Sequence, residues 1–147
     1  MSTTAFAAEI NQGSTEKSGN TAVTFNVDPT YTVTIPTAIK LTETKTAGII
    51  TYKGSDTITT SAVRLNKGEK VKLAITSDFT MTSTKNAMQS YTATVDGATS
   101  SLVSGGEVAR FGTSKAAQSV TLNYLAGDPE FAGDYKDTVT FTLSVVE

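Results

Sequence analysis

Apolar residues alternate with polar residues along much of this chain of 147 residues, and most of the polar positions are threonine. An alternation of period two puts successive side chains on opposite faces of a β-strand, so each such segment is predicted to be a strand with one buried face. The 28 threonines and 14 serines fit this prediction, because threonine favours strands and serine favours turns. The clearest run is the last one, in which Val139, Phe141, Leu143 and Val145 alternate with Thr138, Thr140, Thr142 and Ser144.

Shorter alternating runs precede it and are separated by turn residues such as Asp28-Pro29, Asp96-Gly97 and the segment 127–130. The predicted strands are 23–27, 31–35, 39–41, 48–53, 70–76, 91–95, 108–111, 120–124 and 138–145. Residues 57–65 change phase midway, which indicates a bulge or a strand that crosses between two sheets. Since no segment has a helical period, we predict an all-β protein, an antiparallel β-sandwich of Ig-like, Greek-key topology with about eight or nine strands.

The first twenty residues differ from the rest. Ala5 and Ala7 occupy the small-residue positions of an A-x-A signal-peptidase site, which predicts cleavage between Ala7 and Ala8 and an exported protein. We interpret residues 1–20 as the remnant of a signal peptide followed by a flexible tail, and residues 21–147 as a single β-sandwich domain. In the tail, Ala8 and Ile10 share parity and form a candidate strand for assembly with another molecule.

The composition excludes several classes of function. The chain has no His, Cys or Trp, so it lacks the base and the thiol of the common nucleophilic sites and the usual ligands of zinc. We therefore predict that it is not an enzyme and uses no cofactor. Its 12 basic and 14 acidic residues form no cationic block, which argues against nucleic acid as a partner, and no apolar run is long enough for a membrane span.

The acidic residues near the last strand are the one candidate for a metal site. Asp128, Glu130, Asp134 and Asp137 lie close together in the sequence, and several oxygens on one loop are what calcium requires. Their spacing matches no calcium-binding loop, so a hydrated acidic turn is the favoured interpretation. Tyr135, just before the last strand, is predicted to be a structural corner tyrosine that bonds back across the connection.

Tyrosines and threonines give the remaining signals. Tyr31, Tyr52, Tyr91 and Tyr124 share parity with aliphatic neighbours and are predicted to lie in the core. Threonine stripes face the other way on two strands, at Thr30, Thr32 and Thr34 and at Thr138, Thr140 and Thr142. Such a stripe is either a plain solvent face or a surface that packs with other copies, and we favour the solvent face.

Two segments resemble a known group of proteins. Residues 26–36, Asn-Val-Asp-Pro-Thr-Tyr-Thr-Val-Thr-Ile-Pro, and residues 131–143, which end in Asp-Thr-Val-Thr-Phe-Thr-Leu, resemble threonine-rich surface domains of Gram-positive bacteria. The second segment is also similar to the end of WxL cell-wall-binding domains, with Phe141 and Leu143 in place of Trp and Leu. The resemblance implies a non-catalytic β-sandwich displayed outside the cell.

These inferences lead to two hypotheses on function. The first is a secreted structural protein of the cell surface, a pilus-like fibre subunit or adhesin whose partners are other copies or other surface proteins, held by β-strand contacts. The second is a module that binds cell-wall glycan or another carbohydrate. The second hypothesis requires an exposed aromatic residue or a concave polar face.

Overall fold

A computed structural model of the protein describes residues 11–15 and 18–147, and this part of the chain contains ten β-strands. No helix in these residues is long and apolar enough to cross a membrane. The strands are β1 (Val33–Thr34), β2 (Thr42–Thr46), β3 (Ile49–Thr60), β4 (Lys70–Thr76), β5 (Thr80–Ser83), β6 (Met88–Val95), β7 (Glu107–Gly112), β8 (Ser119–Gly127), β9 (Tyr135–Lys136) and β10 (Thr140–Val146).

The strands form two antiparallel sheets of unequal size. The larger sheet has the order β1-β3-β8-β6-β5-β9, and β2 pairs with β3 beside β1. The smaller sheet has three strands in the order β10-β4-β7. Because the chain passes repeatedly between the sheets, neighbours such as β3 and β8 are far apart in sequence. The predicted all-β antiparallel sandwich is confirmed, with ten strands instead of eight or nine.

The core lies between the two sheets and follows the alternation of the sequence. In β4, Val71, Leu73 and Ile75 are fully buried, and they face Ile58 of β3 and Leu122 of β8 within one cluster. The intervening threonines and lysines of the strands face outwards. Burial of these aliphatic side chains is the main stabilising contribution of the fold, since each contributes about 1.5 to 3 kcal/mol.

Strand β2 was not predicted, because its sequence Thr-Glu-Thr-Lys-Thr has no apolar residue. It forms a hairpin with β3 in which Thr46 pairs with Ile49, so only Ala47 and Gly48 connect the strands. Both residues have positive φ, at 51° and 86°, as a two-residue type I′ turn requires. Local turn geometry and backbone pairing therefore hold this strand at the sheet edge.

The predicted short strand at 39–41 is wrong. Residues 35–41 instead pass without strand structure from β1 to β2 and cross close to Gly54 of β3. A Cβ atom at Gly54 would lie 2.9 Å from the carbonyl oxygen of Lys40 and 2.8 Å from the Leu41 side chain. A residue without a side chain is thus needed where the two segments meet.

The predicted strand at 23–27 is also wrong. Residues 20–29 have no strand structure, and Val23 and Phe25 are each 90 % exposed. The alternation there is as regular as elsewhere, but no neighbouring strand of the described chain pairs with the segment. Strand-like backbone pairing begins at Thr30, which forms an antiparallel bridge with Arg64.

The change of phase within 57–65 corresponds to the end of β3. Ile58 and Thr60 are buried, Ala62 is exposed, and Val63 is buried again. Val63 bridges to Ser114, just beyond β7, while its neighbour Arg64 bridges to Thr30. The chain leaves the larger sheet at Thr60 and contacts the end of the smaller one, as the altered alternation indicates.

Candidate functional site

The most unusual feature of the fold is the outer edge of β10. Within the described residues β10 pairs only with β4. The backbone directions follow from Ile75, whose N–H and carbonyl bond to Gly106 and Gly105 on the β7 side. Since Ile75 lies opposite Phe141, the N–H and carbonyl of Phe141 point away from β4. The N–H and carbonyl groups of Leu143 and Val145 also point away from β4. β10 therefore presents a row of backbone groups at an outer edge to which no further strand is paired in the described residues.

The side chains of β10 are less covered than those of β4. Phe141, Leu143 and Val145 pair with Ile75, Leu73 and Val71, and Phe141 and Leu143 pack against the core. The three residues of β4 are 0 % exposed, whereas Phe141 and Leu143 are only half-buried and Val145 is 43 % exposed. The difference arises because β4 has a strand on each side and β10 has one on a single side.

An open groove adjoins the start of β10, with a volume of about 1280 Å³. Its lining comes from the segment 35–41, from the connection 129–138 and from residues 139–141, with Tyr52, Tyr91 and Tyr124 of the larger sheet. No residue of β4 or β7 lines it. The groove therefore lies where the three-stranded sheet stops and the inner face of the larger sheet continues.

One wall of the groove is fixed by a hydrogen-bonded group around Asp137. The Asp137 carboxylate accepts from the Ser77 hydroxyl at 2.6 Å and from the Tyr91 hydroxyl at 2.5 Å. Ser77 also accepts from the backbone N–H of Phe79 at 2.7 Å. Burial, with a contribution from the bond to Asp137, raises the pKa of Tyr91 far above its usual value. The group ties the residues before β10 to the β4–β5 turn and to β6.

Tyr124 lies deeper in the groove and is only 4 % exposed. Its hydroxyl is buried and has no hydrogen-bond partner among the described residues. Burial, with a smaller contribution from the Asp56 charge, raises the pKa of Tyr124 to about 12. An unpaired buried hydroxyl is unfavourable, so Tyr124 carries a polar group whose burial costs stability.

The structure does not bring the four acidic residues near the last strand together. Within the part of the chain that the structure describes, no three Asp or Glu residues lie close enough to hold a metal ion. Asp137 is bonded to Ser77 and Tyr91, and Asp128, Glu130 and Asp134 lie at exposed positions. Tyr135 donates its hydroxyl hydrogen to the carbonyl of Phe131 at 2.7 Å, a bond back across the turn before β9.

The tyrosines predicted for the core differ in their positions. Tyr91 and Tyr124 are buried, as predicted, and their rings lie 6.3 Å apart. Tyr52 is half-buried at the groove, with its hydroxyl 3.4 Å from Glu43. Tyr31 is 38 % exposed, so its predicted core position is wrong. Tyr31 lies two residues before β1, where the chain is not yet part of a strand.

The threonine stripes at 30, 32 and 34 and at 138, 140 and 142 are exposed. The candidate residues of the N-terminus, Ala7 and Ala8 for cleavage and Ala8 and Ile10 for assembly, lie outside the described residues. Sequence reasoning did not single out Ser77 or the open side of β10. A serine before a turn is a weak signal, and the neighbours of a strand are not encoded in its own alternation.

Comparison with known proteins adds no further assignment. No family model and no curated protein matches this sequence. The resemblance to surface domains of Gram-positive bacteria therefore stays a prediction.

Proposed function

We propose that this protein is an exported, non-catalytic structural subunit of a surface fibre or adhesin, which assembles through β-strand contacts. The observation that carries the proposal is the outer edge of β10, where exposed backbone groups run beside half-buried apolar side chains. An added strand would satisfy the backbone groups and cover the apolar ones, which is how β-strand addition gives affinity.

The other outer strands are less suited to pairing with another chain. β2 carries Glu43 and Lys45, β7 carries Glu107 and Arg110, and β1 and β9 have two residues each. Charged side chains and short length both protect an edge strand against pairing. β10 has seven residues, Thr-Phe-Thr-Leu-Ser-Val-Val, with no charge and no proline.

Export is supported by the sequence at the N-terminus, where Ala5 and Ala7 form an A-x-A pattern. The absence of Cys is compatible with this compartment, since the sandwich has a packed core that needs no disulfide. Expression of the complete gene product in a Gram-positive host tests this part. Export predicts a mature protein that begins at Ala8 in the wall or medium fraction, and retention of the full chain in the cytosol would contradict it.

The assembly part is tested by native mass spectrometry and electron microscopy of the purified mature protein over a range of concentrations. We expect oligomers that grow with concentration and filaments in the micrographs. A monomer at every concentration would contradict the proposal.

A second candidate function is the binding of cell-wall glycan, which the groove favours because it is concave and has the half-buried Tyr52 in its lining. Tyrosine rings and hydroxyls are groups that stack on and bond to sugars. Sedimentation with purified peptidoglycan distinguishes the candidates. Binding by the monomer that is lost in Tyr52→Ala, with assembly unchanged, would favour the glycan module.

A further inference from the structure

The segment 21–27 has the alternation of a strand but pairs with no strand of the described residues. It is thus the second feature without a partner strand, besides the outer edge of β10. Val23, Phe25 and Val27 alternate with Thr24 and Asn26, and the segment has no charged residue. Val23 and Phe25 are 90 % exposed and Val27 is 47 % exposed. Three large apolar residues on one face of an exposed segment are costly in water, which indicates that another surface covers them.

The segment and the outer edge of β10 match in pattern. Phe141, Leu143 and Val145 are three incompletely covered apolar residues at a spacing of two, as are Val23, Phe25 and Val27. A strand formed by 21–27 beside β10 would direct its three apolar side chains into the sandwich next to those of β10. Thr24 and Asn26 would then lie on the outer face, beside the exposed Thr142 and Ser144.

The groove lies beside the start of β10, next to the edge to which the strand would add. It adjoins Val139, Thr140 and Phe141 at the start of β10, and Tyr124 is among its lining residues. A strand added to β10 would extend the three-stranded sheet beside the segment 35–41, which lines the groove and crosses close to Gly54 of β3. At the start of β10 the groove, with a volume of about 1280 Å³, offers space for side chains of the added strand.

The connection to β1 prevents the segment from folding back as a tight hairpin on its own chain. Only Asp28 and Pro29 separate Val27 from Thr30, where the bridge to Arg64 begins. A two-residue hairpin needs a type I′ or II′ turn, and both have positive φ at the first central residue. Asp28 precedes a proline and is restricted to extended conformations with negative φ. The primed turns are therefore excluded at this position.

We infer that residues 21–27 of one molecule add as a strand to the outer edge of β10 of a second copy and fill the adjoining groove. The inference rests on the proposed function and makes it specific, because it names the donated segment, the accepting strand and the partner. The contact is head-to-tail, since each molecule has one donor segment and one acceptor edge. Repeated contacts of this kind produce an open filament where the rotation between copies does not close.

Two sets of variants separate donor from acceptor. The donor variant V23S/F25S removes two apolar side chains from the exposed segment and leaves the core and β10 intact. The acceptor variant Val145→Pro removes an outward N–H and no bond to β4, and Val145→Lys is a second acceptor variant in case the proline disturbs β10. Matched controls are Val103→Ser, an exposed loop valine, and Val145→Thr, which keeps the N–H.

The decisive experiment is complementation by mixing, followed by size-exclusion chromatography with light scattering. We expect V23S/F25S and the acceptor variants to be folded monomers that need about 100-fold higher concentration than the wild type to assemble. An equimolar mixture of a donor and an acceptor variant has one competent contact per pair and should give heterodimers. The two control variants should assemble like the wild type.

Other results would overturn the inference in distinguishable ways. If the wild type assembles and V23S/F25S assembles equally well, residues 21–27 are not the donor. If Ala8→Ser/Ile10→Ser abolishes assembly instead, the donor is the extreme N-terminus and the proposed function stands without this inference. If V23S/F25S becomes less stable as a monomer, the segment covers its own molecule. If the wild type is monomeric throughout, both the inference and the proposed function fail.

Discussion

β4 and β10 are neighbouring strands of one sheet with the same alternation of apolar residues, and they differ in what lies beside them. Val71, Leu73 and Ile75 of β4 are completely buried, while their partners Val145, Leu143 and Phe141 are partly exposed. Alternation thus specifies that a segment can form a strand with an apolar face. Whether that face is fully covered depends on the number of neighbouring strands.

The largest expected effect compares two leucines that pair with each other, Leu73 and Leu143. Leu73→Ala leaves a cavity in the closed part of the core and should lower the free energy of unfolding by about 3 to 4 kcal/mol. Leu143→Ala at the open edge should cost about 1 to 2 kcal/mol, because less area is buried there. Urea denaturation of the dilute protein measures both. Equal losses would show that β10 is covered as completely as β4.

The next effect concerns the hydrogen bonds that hold the residues before β10. Asp137→Ala removes the acceptor of Ser77 and Tyr91 and should destabilise the protein by about 1 to 3 kcal/mol, since bonds to a charged group are the stronger kind. Asp134→Ala, at an exposed position three residues earlier, is the matched control and should change stability by less than about 0.5 kcal/mol. A similar effect of both variants would contradict a special role of Asp137.

The smallest effect concerns Tyr124 at the bottom of the groove. Tyr124→Phe removes a buried hydroxyl that has no partner and should be neutral or stabilise the dilute protein by up to about 1 kcal/mol. The exposed Tyr31→Phe is the control. A clear loss of stability in Tyr124→Phe, measured by thermal unfolding, would mean that the hydroxyl is hydrogen-bonded in solution.

Alkaline pH tests the same residue with a defined sign. The pKa of Tyr124 is raised to about 12 in the folded protein from about 10 in the unfolded chain, so folding favours its neutral form. Its contribution to stability is complete below pH 10 and is lost as the pH rises through about 12. The wild type should therefore lose more stability between pH 10 and 12 than Tyr124→Phe. Parallel curves for the two proteins would contradict the buried position.

The strands that form the core were predictable from sequence because burial of one face imposes period two. This holds for Val71, Leu73 and Ile75, for Tyr91 and Ala93, and for Leu122 and Tyr124. β2 was not predictable in this way, because backbone pairing and the Ala47-Gly48 turn stabilise it without apolar side chains. The segment at 23–27 shows the opposite case, in which alternation occurs without a partner in the described chain.

The candidate site was less accessible to sequence reasoning than the fold. The groove and the group of Ser77, Tyr91 and Asp137 combine residues that are 14 to 60 positions apart, and only the strand order brings them together. Asp137 was noted as an acidic residue of a loop, but its partners depend on the position of the β4–β5 turn. The open edge is a property of topology, since the sequence of β10 does not specify how many neighbours it has.

The central claim is that β10 accepts a strand from a second copy. Amide hydrogen exchange along β10, measured at a dilute and at an assembling concentration, tests this claim most directly. The amides of Thr142 and Ser144 point towards β4 and should be protected at both concentrations, whereas those of Phe141, Leu143 and Val145 point outwards. We predict that these three amides exchange rapidly in the dilute protein and become protected on assembly in the wild type, and that V23S/F25S shows no such gain. Outward amides that stay unprotected in the assembled wild type would contradict the claim that β10 accepts a strand from a second copy.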